Sequence, residues 1–219
     1  MPKPSNSEII MEQNPSSAAS EAYRSLRFNV EASAFDDGIK TVTITSAARG
    51  EGKSTTALNL AFAYAQIGKK VVLVDADMRQ PSLHRTLGEE GSRGLSGYLS
   101  AYCSMNEIVQ ETHVKNLSVI TAGAVPPSPA DLLASHEMVL LLEALKRNYD
   151  MVFIDTPPVL SLTDAKIMAS QCDGVLLVVE YGKVKRNVAK KVKEELALAK
   201  AKLLGIVMNK ISGQAAEAY

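Results

Sequence analysis

Six short apolar runs recur along the chain: TVTIT (Thr41 to Thr45), VVLVD (Val71 to Asp75), LSVIT (Leu117 to Thr121), MVFID (Met151 to Asp155), GVLLVVE (Gly174 to Glu180) and LGIVMN (Leu204 to Asn209). Most are β-branched or aliphatic at successive positions and bounded by loop residues, the pattern of strands covered on both faces in a parallel sheet. Between them lie segments with helical periodicity at Ser54 to Ile67, closed by Gly68, at Glu137 to Asn148 and at Val188 to Ala201. A looser stretch from Met78 to Asn116 predicts short helices around Leu95 to Ala101 and Glu107 to Thr112, and GAVPPSPADLL is a proline-rich connection into a helix. Short apolar strands alternating with helices predict an α/β fold, a doubly wound, mainly parallel sheet flanked by helices.

Ahead of this alternation, residues 1–14 are polar and proline-containing, and are expected to be a flexible N-terminus. Residues 15–35 predict an amphipathic helix, with Asn14 as its cap, Pro15 at its first position, and Tyr23, Leu26, Phe28, Val30 and Ala34 on its apolar side. DDG at Asp36 to Gly38 stops it. Residues 15–212 are expected to form a single domain, followed by a flexible tail at 213–219.

Composition narrows the class. Apolar residues make up 46% of 219, an ordinary globular value, and no run is long enough to cross a bilayer. With no basic-then-apolar leader at the N-terminus, the protein is expected to be cytoplasmic. Lys plus Arg (24) equals Asp plus Glu (24), which argues against a general nucleic-acid binder. Cys103 and Cys172 lack CxxC spacing and are expected to be two buried free thiols in a reducing compartment.

The first strand runs directly into SAARGEGKST, Ser46 to Thr55, and then into a helix. Gly50 and Gly52 let backbone amides converge on an anion, which the helix also favours with the positive end of its dipole. Lys53 can reach outer phosphates and the Ser54 hydroxyl can join a metal shell. Ala48, Arg49, Gly50, Glu51, Gly52, Lys53, Ser54 and Thr55 are therefore the nucleotide-binding candidates, although the G-x-x-x-x-G-K-[ST] pattern has Ala47 at its first glycine. Asp75, Asp77 and Asp155 stand at or just past strand ends, where parallel sheets gather their ligands. A lone strand-end aspartate is as readily a helix cap. Three beside a phosphate loop suggest a magnesium ion shared with Ser54 and the phosphates.

SAARGEGKST, VVLVDADMRQP and MVFIDTPP together resemble the Walker A, Walker A′ and Walker B motifs of bacterial protein-tyrosine kinases, the capsule and exopolysaccharide kinases built on a P-loop ATPase scaffold. EAYRSLR matches the family's E-x-x-R-x-x-R signature through Glu21, Arg24 and Arg27, and GLSGYLS and PPSPADLLAS match as well. The resemblance runs from Ser20 to Ser212. It implies ATP and Mg2+ as cofactors. Lys53 would hold the β- and γ-phosphates, and Ser54, Asp77 and Asp155 would hold the metal. Asp75 or Asp77 would be nearest the tyrosine hydroxyl, as base or orienting group. Asn209 in VMNK resembles an adenine-side asparagine, with a turn cap as the alternative. Glu21, Arg24 and Arg27 would serve ring-shaped self-association, or form only a solvated helix face.

The implied partners are a transmembrane adaptor whose cytoplasmic tail activates the kinase and holds it at the inner face of the membrane, tyrosine-bearing protein substrates, and a cognate tyrosine phosphatase. The family's terminal tyrosine cluster is reduced here to Tyr219 in SGQAAEAY, the phosphoacceptor candidate. Tyr181, which follows a strand, is expected to pack near the sheet edge. Two other readings compete. A partitioning or division-site ATPase would carry a second lysine in K-G-G-x-G-K-[ST], where this chain has Ala48, Arg49 and Gly50. A non-catalytic, nucleotide-dependent assembly protein of polysaccharide export would use the same loop. The lysine-rich segment GKVKRNVAKKVKEELALAKAK is read as a solvated helix surface, with a partner or membrane-surface patch as the alternative.

Overall fold

Seven strands form one sheet in the computed structural model, which describes residues 9–34, 38–87 and 93–211. β1 (Thr41–Ser46), β2 (Val71–Asp75), β3 (Val109–Glu111), β4 (Leu117–Ile120), β5 (Met151–Asp155), β6 (Gly174–Glu180) and β7 (Leu203–Asn209) lie in the order β3-β4-β2-β5-β1-β6-β7. All neighbours pair in parallel except β3, which is antiparallel to β4. Side chains alternate across the pleat. Val42, Ile44, Val71, Leu73, Met151 and Phe153 enter one core, and Val72, Val74, Val152 and Ile154 enter another on the opposite face.

The first of these cores is closed by α1 (Ile10–Gln13), α2 (Ala18–Ala34) and α3 (Lys53–Gln66), the second largely by α5 (Leu95–Leu99), α7 (Pro129–Leu133) and α8 (His136–Asn148). Beyond β1, Val175 and Leu177 of β6 are covered by α9 (Asp164–Gln171) and by Val192 and Leu196 of α10 (Arg186–Leu198). Two further short helices, α4 (Leu83–Leu87) and α6 (Met105–Ile108), lie in the looser stretch. Gly68, at φ +85°, ends α3 in the left-handed conformation that its glycine permits.

Three sequence expectations are corrected. The flexible N-terminus does not extend to Asn14. Ile9 and Met11 are fully buried, and the Met11 N–H donates to the Asn59 carboxamide at 3.4 Å, because the apolar trio Ile9, Ile10 and Met11 outweighs the polar residues around it. Accordingly Asn14 ends α1 rather than capping α2, which starts at Ala18 with the Ser20 N–H donating to the Ser17 hydroxyl. The helix expected over Glu107 to Thr112 stops at Ile108, where Val109 turns extended and pairs with Ile120 as the first residue of β3.

Cys103 and Cys172 are both free, but both residues are half-buried rather than buried. The Cys172 thiol is itself shielded, and burial pushes it up to about 12. Tyr181 is 42% exposed, its N–H bonded to the Asn209 carbonyl at 2.9 Å beside the edge strand. Tyr219 and the whole tail at 213–219, like residues 1–8 and Phe35 to Asp37, lie outside the described residues.

Candidate nucleotide and phosphoryl-transfer site

The loop between β1 and α3 takes its shape from Gly50 at φ +79° and Gly52 at φ +91°, both in the left-handed region that a side chain disfavours. At Gly52 a Cβ would also run into the Asn209 carboxamide. Ala47, in place of the pattern's first glycine, is buried in the core beside Val159 and Val175, so a methyl group is accommodated there. Ala48, Arg49 and Gly50 are exposed, Gly52 to Thr55 half-buried, and Glu51 buried. The loop thus presents an open mouth over a fixed base, with the first turn of α3 behind it.

Lys53 points across this mouth to Asp77, its Nζ 3.4 Å from Oδ2 and 3.4 Å from the Ser54 Oγ. Both charged side chains are largely shielded, with relative exposures of 16% and 10%. Asp155, at the end of β5, is wholly buried, and neither carboxylate oxygen has a hydrogen-bond partner at ordinary length. Burial pushes its pKa up, while the Lys53 charge and the Ser54 hydroxyl, acting at longer range, pull it down. Lys53, Ser54, Asp77 and Asp155 are therefore brought together.

Asp75 stands behind them. Its Oδ1 accepts the Asp77 N–H at 3.1 Å, and its Oδ2 accepts those of Ser82 and Leu83 at 3.1 and 3.2 Å. The carboxylate holds the loop between β2 and α4, and leaves Asp77 as the aspartate nearest Lys53. Burial and the neighbouring Asp155 push Asp75 up to about 7, against the pull of those amides.

An orphaned buried carboxylate is costly unless a cation meets it. Asp155 therefore fits a magnesium site, with Asp77 and the Ser54 hydroxyl close by. Among the described residues no three His, Cys, Asp or Glu side chains form a closed metal cage.

Two candidates lie elsewhere in the geometry. Glu21 and Arg24 pair at 2.9 Å on the exposed side of α2, and Arg24 also donates to the Pro15 carbonyl at 2.8 Å. Arg27 turns inward and donates to the Ala63 carbonyl of α3 at 3.1 Å, so the three do not share one face. Asn209 reaches the loop by donating its Nδ2 to the Glu51 carbonyl at 2.9 Å.

Sequence reading missed the link between Arg79 and Asp164. The Arg79 Nε and Nη2 grip a fully buried carboxylate at 2.9 and 3.1 Å, tying the loop after β2 to the start of α9. Arg79 is in view beside the aspartates, but nothing near Asp164 in the sequence marks it as the counter-charge.

A parallel sheet that delivers a lysine-tipped anion loop and buried strand-end carboxylates to one point defines a P-loop ATPase. Residues 39–202 match the AAA domain family. The chain is 47% identical over 201 residues to the tyrosine-protein kinase YwqD of Bacillus subtilis strain 168, covering 92% of this chain and 85% of that protein. It is 40% identical over 193 residues to the tyrosine-protein kinase CpsD of Streptococcus agalactiae serotype Ia, covering 88% and 82%. The solved chimerical protein CapA2B2 superposes with a TM-score of 0.90 at 38% identity, over 94% of this chain and 91% of that one. The chain belongs to the bacterial tyrosine-protein kinases. The cell-division ATPase MinD of Pyrococcus furiosus shares the scaffold at a lower TM-score of 0.67 and 26% identity, over 82% of this chain and 78% of that one. The fold is thus common ground with the division-site ATPases, while the kinases match more closely and over more of the chain.

Proposed function

We propose that this chain binds Mg-ATP in the Ala48 to Thr55 loop and transfers the γ-phosphoryl group to tyrosine hydroxyls, its own Tyr219 among them. The proteins it modifies would be those that make and export capsular polysaccharide or exopolysaccharide. The observation that carries the site assignment is the convergence of the Lys53 ammonium, Asp77 and the unpartnered Asp155 on the mouth of the loop.

The loop amides and Lys53 hold the β- and γ-phosphates, with Ser54, Asp77 and Asp155 as the metal-holding set. Magnesium, when bound, would neutralise charge on those phosphates. Asp77, the aspartate facing Lys53, accepts the tyrosine proton or orients the hydroxyl. The new O–P bond forms as the bond to the bridging oxygen of ADP breaks. Asp75 keeps Asp77 in place through the amide of that residue. Positioning and charge are most of what such a transfer requires.

A membrane adaptor with a cytoplasmic activating tail, self-association through α2 and reversal by a phosphatase complete the reading. No helix among the described residues is long and apolar enough to cross a membrane.

Incubation with Mg-ATP and the adaptor tail, followed by anti-phosphotyrosine detection, tests the proposal. Signal is expected from the unaltered chain and none from Lys53→Met. Asp77→Asn is expected to keep part of the nucleotide affinity and to lose at least about 100-fold in transfer rate. Nucleotide binding without phosphotyrosine on any chain would instead make this a non-catalytic assembly protein.

A further inference from the structure

A loop that turns its amides toward a phosphate must turn its carbonyls away, and those carbonyls need partners of their own. Here the partners come from the ends of β6 and β7. The Lys210 ammonium donates to the Gly50 carbonyl at 2.6 Å, and the Asn209 carboxamide donates to the Glu51 carbonyl at 2.9 Å. The Glu51 carboxylate, only 5% exposed, accepts the Ala48 N–H at 2.8 Å and reaches the Glu180 N–H at 3.5 Å. Glu180 in turn accepts Lys210 at 3.0 Å and Lys183 at 2.6 Å. Lys210 and Asn209 thus hold loop carbonyls, and the Glu51 carboxylate holds the Ala48 amide within the loop.

The backbone at Lys210 adds a second observation. Its φ is +60°, a left-handed conformation that costs a non-glycine residue about 1–2 kcal/mol. The residue is held there by its own N–H on the Asn209 Oδ1 at 2.8 Å, and the Tyr181 N–H fixes the Asn209 carbonyl at 2.9 Å. This turn at the end of β7 brings the Lys210 side chain back over the loop.

We propose that Lys210 and Asn209 form a clamp on the carbonyl side of the phosphate loop, with the Glu51 carboxylate bracing it from within through the Ala48 amide, and set nucleotide affinity by preorganising the loop. These are positioning residues. Lys210 and Asn209 touch carbonyls rather than amides of the loop, so they act equally on ATP and ADP and leave the transfer step alone. Asn209 serves the loop in this account. The inference rests on the reading that Ala48 to Thr55 binds phosphate.

Equilibrium affinities for ATP and ADP, with kcat and KM, are measured on the full chain for the unaltered protein and for Lys210→Met, Lys210→Arg, Asn209→Ala and Lys53→Met. Removing a charge-assisted hydrogen bond of this kind corresponds to about a tenfold change. Lys210→Met is therefore expected to weaken ATP and ADP alike by about tenfold, and Asn209→Ala, which loses a neutral bond, by about fivefold, both raising KM with kcat within twofold. Lys210→Arg should restore affinity, which general destabilisation would not allow. Lys210→Met affinities within twofold of the unaltered chain, or a fall in kcat at unchanged affinity, overturn the clamp. An unaltered chain that binds neither nucleotide, or Lys53→Met binding as tightly as the unaltered chain, overturns the phosphate-loop reading instead.

Discussion

Asp75 and Asp155 stand directly opposite each other in the register of β2 and β5, so two wholly buried carboxylates share the floor of the site. Burial pushes both above the ordinary carboxylate range, Asp155 to about 6 and Asp75 to about 7. Between about pH 4 and pH 7 the folded chain therefore binds more protons than the unfolded chain, and stability falls as pH rises through that window. Asp155→Asn removes one of the two charges. In nucleotide-free, magnesium-free buffer it is expected to raise Tm at pH 8 by about 5 °C, with little change at pH 4. Thermal unfolding across that range checks this. A variant less stable than the unaltered chain at pH 8 would refute the account of Asp155 as an uncompensated charge.

The Arg79–Asp164 pair should be worth more as a pair than either residue alone. Arg79→Met leaves a fully buried carboxylate without its cation and is expected to cost about 3 kcal/mol. Adding Asp164→Leu removes the stranded charge and should recover most of that loss. Urea unfolding of both singles and the double variant reads the coupling; additive losses would show that the two do not act together.

Met11 anchors α1 against the first core. Met11→Ala is expected to cost roughly 2–4 kcal/mol in urea unfolding, the range for a large buried side chain cut to alanine. A loss below about 0.5 kcal/mol would mean that α1 adds nothing to that core.

On α2, Arg24 and Arg27 should separate by assay. Arg24 has only surface contacts, so Arg24→Ala should change stability by less than about 1 kcal/mol, and any loss of self-association in sedimentation velocity then reports on an interface. Arg27→Ala removes the bond to the Ala63 carbonyl and should lower stability by about 1 kcal/mol as well. Equal stability effects from the two would contradict their different orientations.

Much of this was legible from the chain because β1, β2 and β5 are short, aliphatic and buried on both faces, which leaves little else for TVTIT, VVLVD or MVFID to be. The loop was legible because its glycines, lysine and hydroxyl occur in one unbroken run. β3 was not, since two of its three residues are polar and they become a strand only by pairing with β4. α1 was hidden by polar neighbours that dilute Ile9, Ile10 and Met11. Asp164 and Lys210 carry no local mark at all. Their roles come from contacts across 85 and 160 positions of chain, which composition and periodicity do not register.

The strand order carries a consequence for how the molecule comes into being. β5 lies between β1 and β2, although about two-thirds of the chain is made before its last residue. As the protein leaves the ribosome, the phosphate loop and Asp77 are complete long before the strand that must slide between their supports. Until then β1 and β2 flank a gap with unpaired backbone on both sides, a state open to wrong pairing. Asp155 arrives with the strand that seals that gap, so a nascent chain cannot bring that carboxylate to Lys53 and Asp77 before β5 has joined β1 and β2.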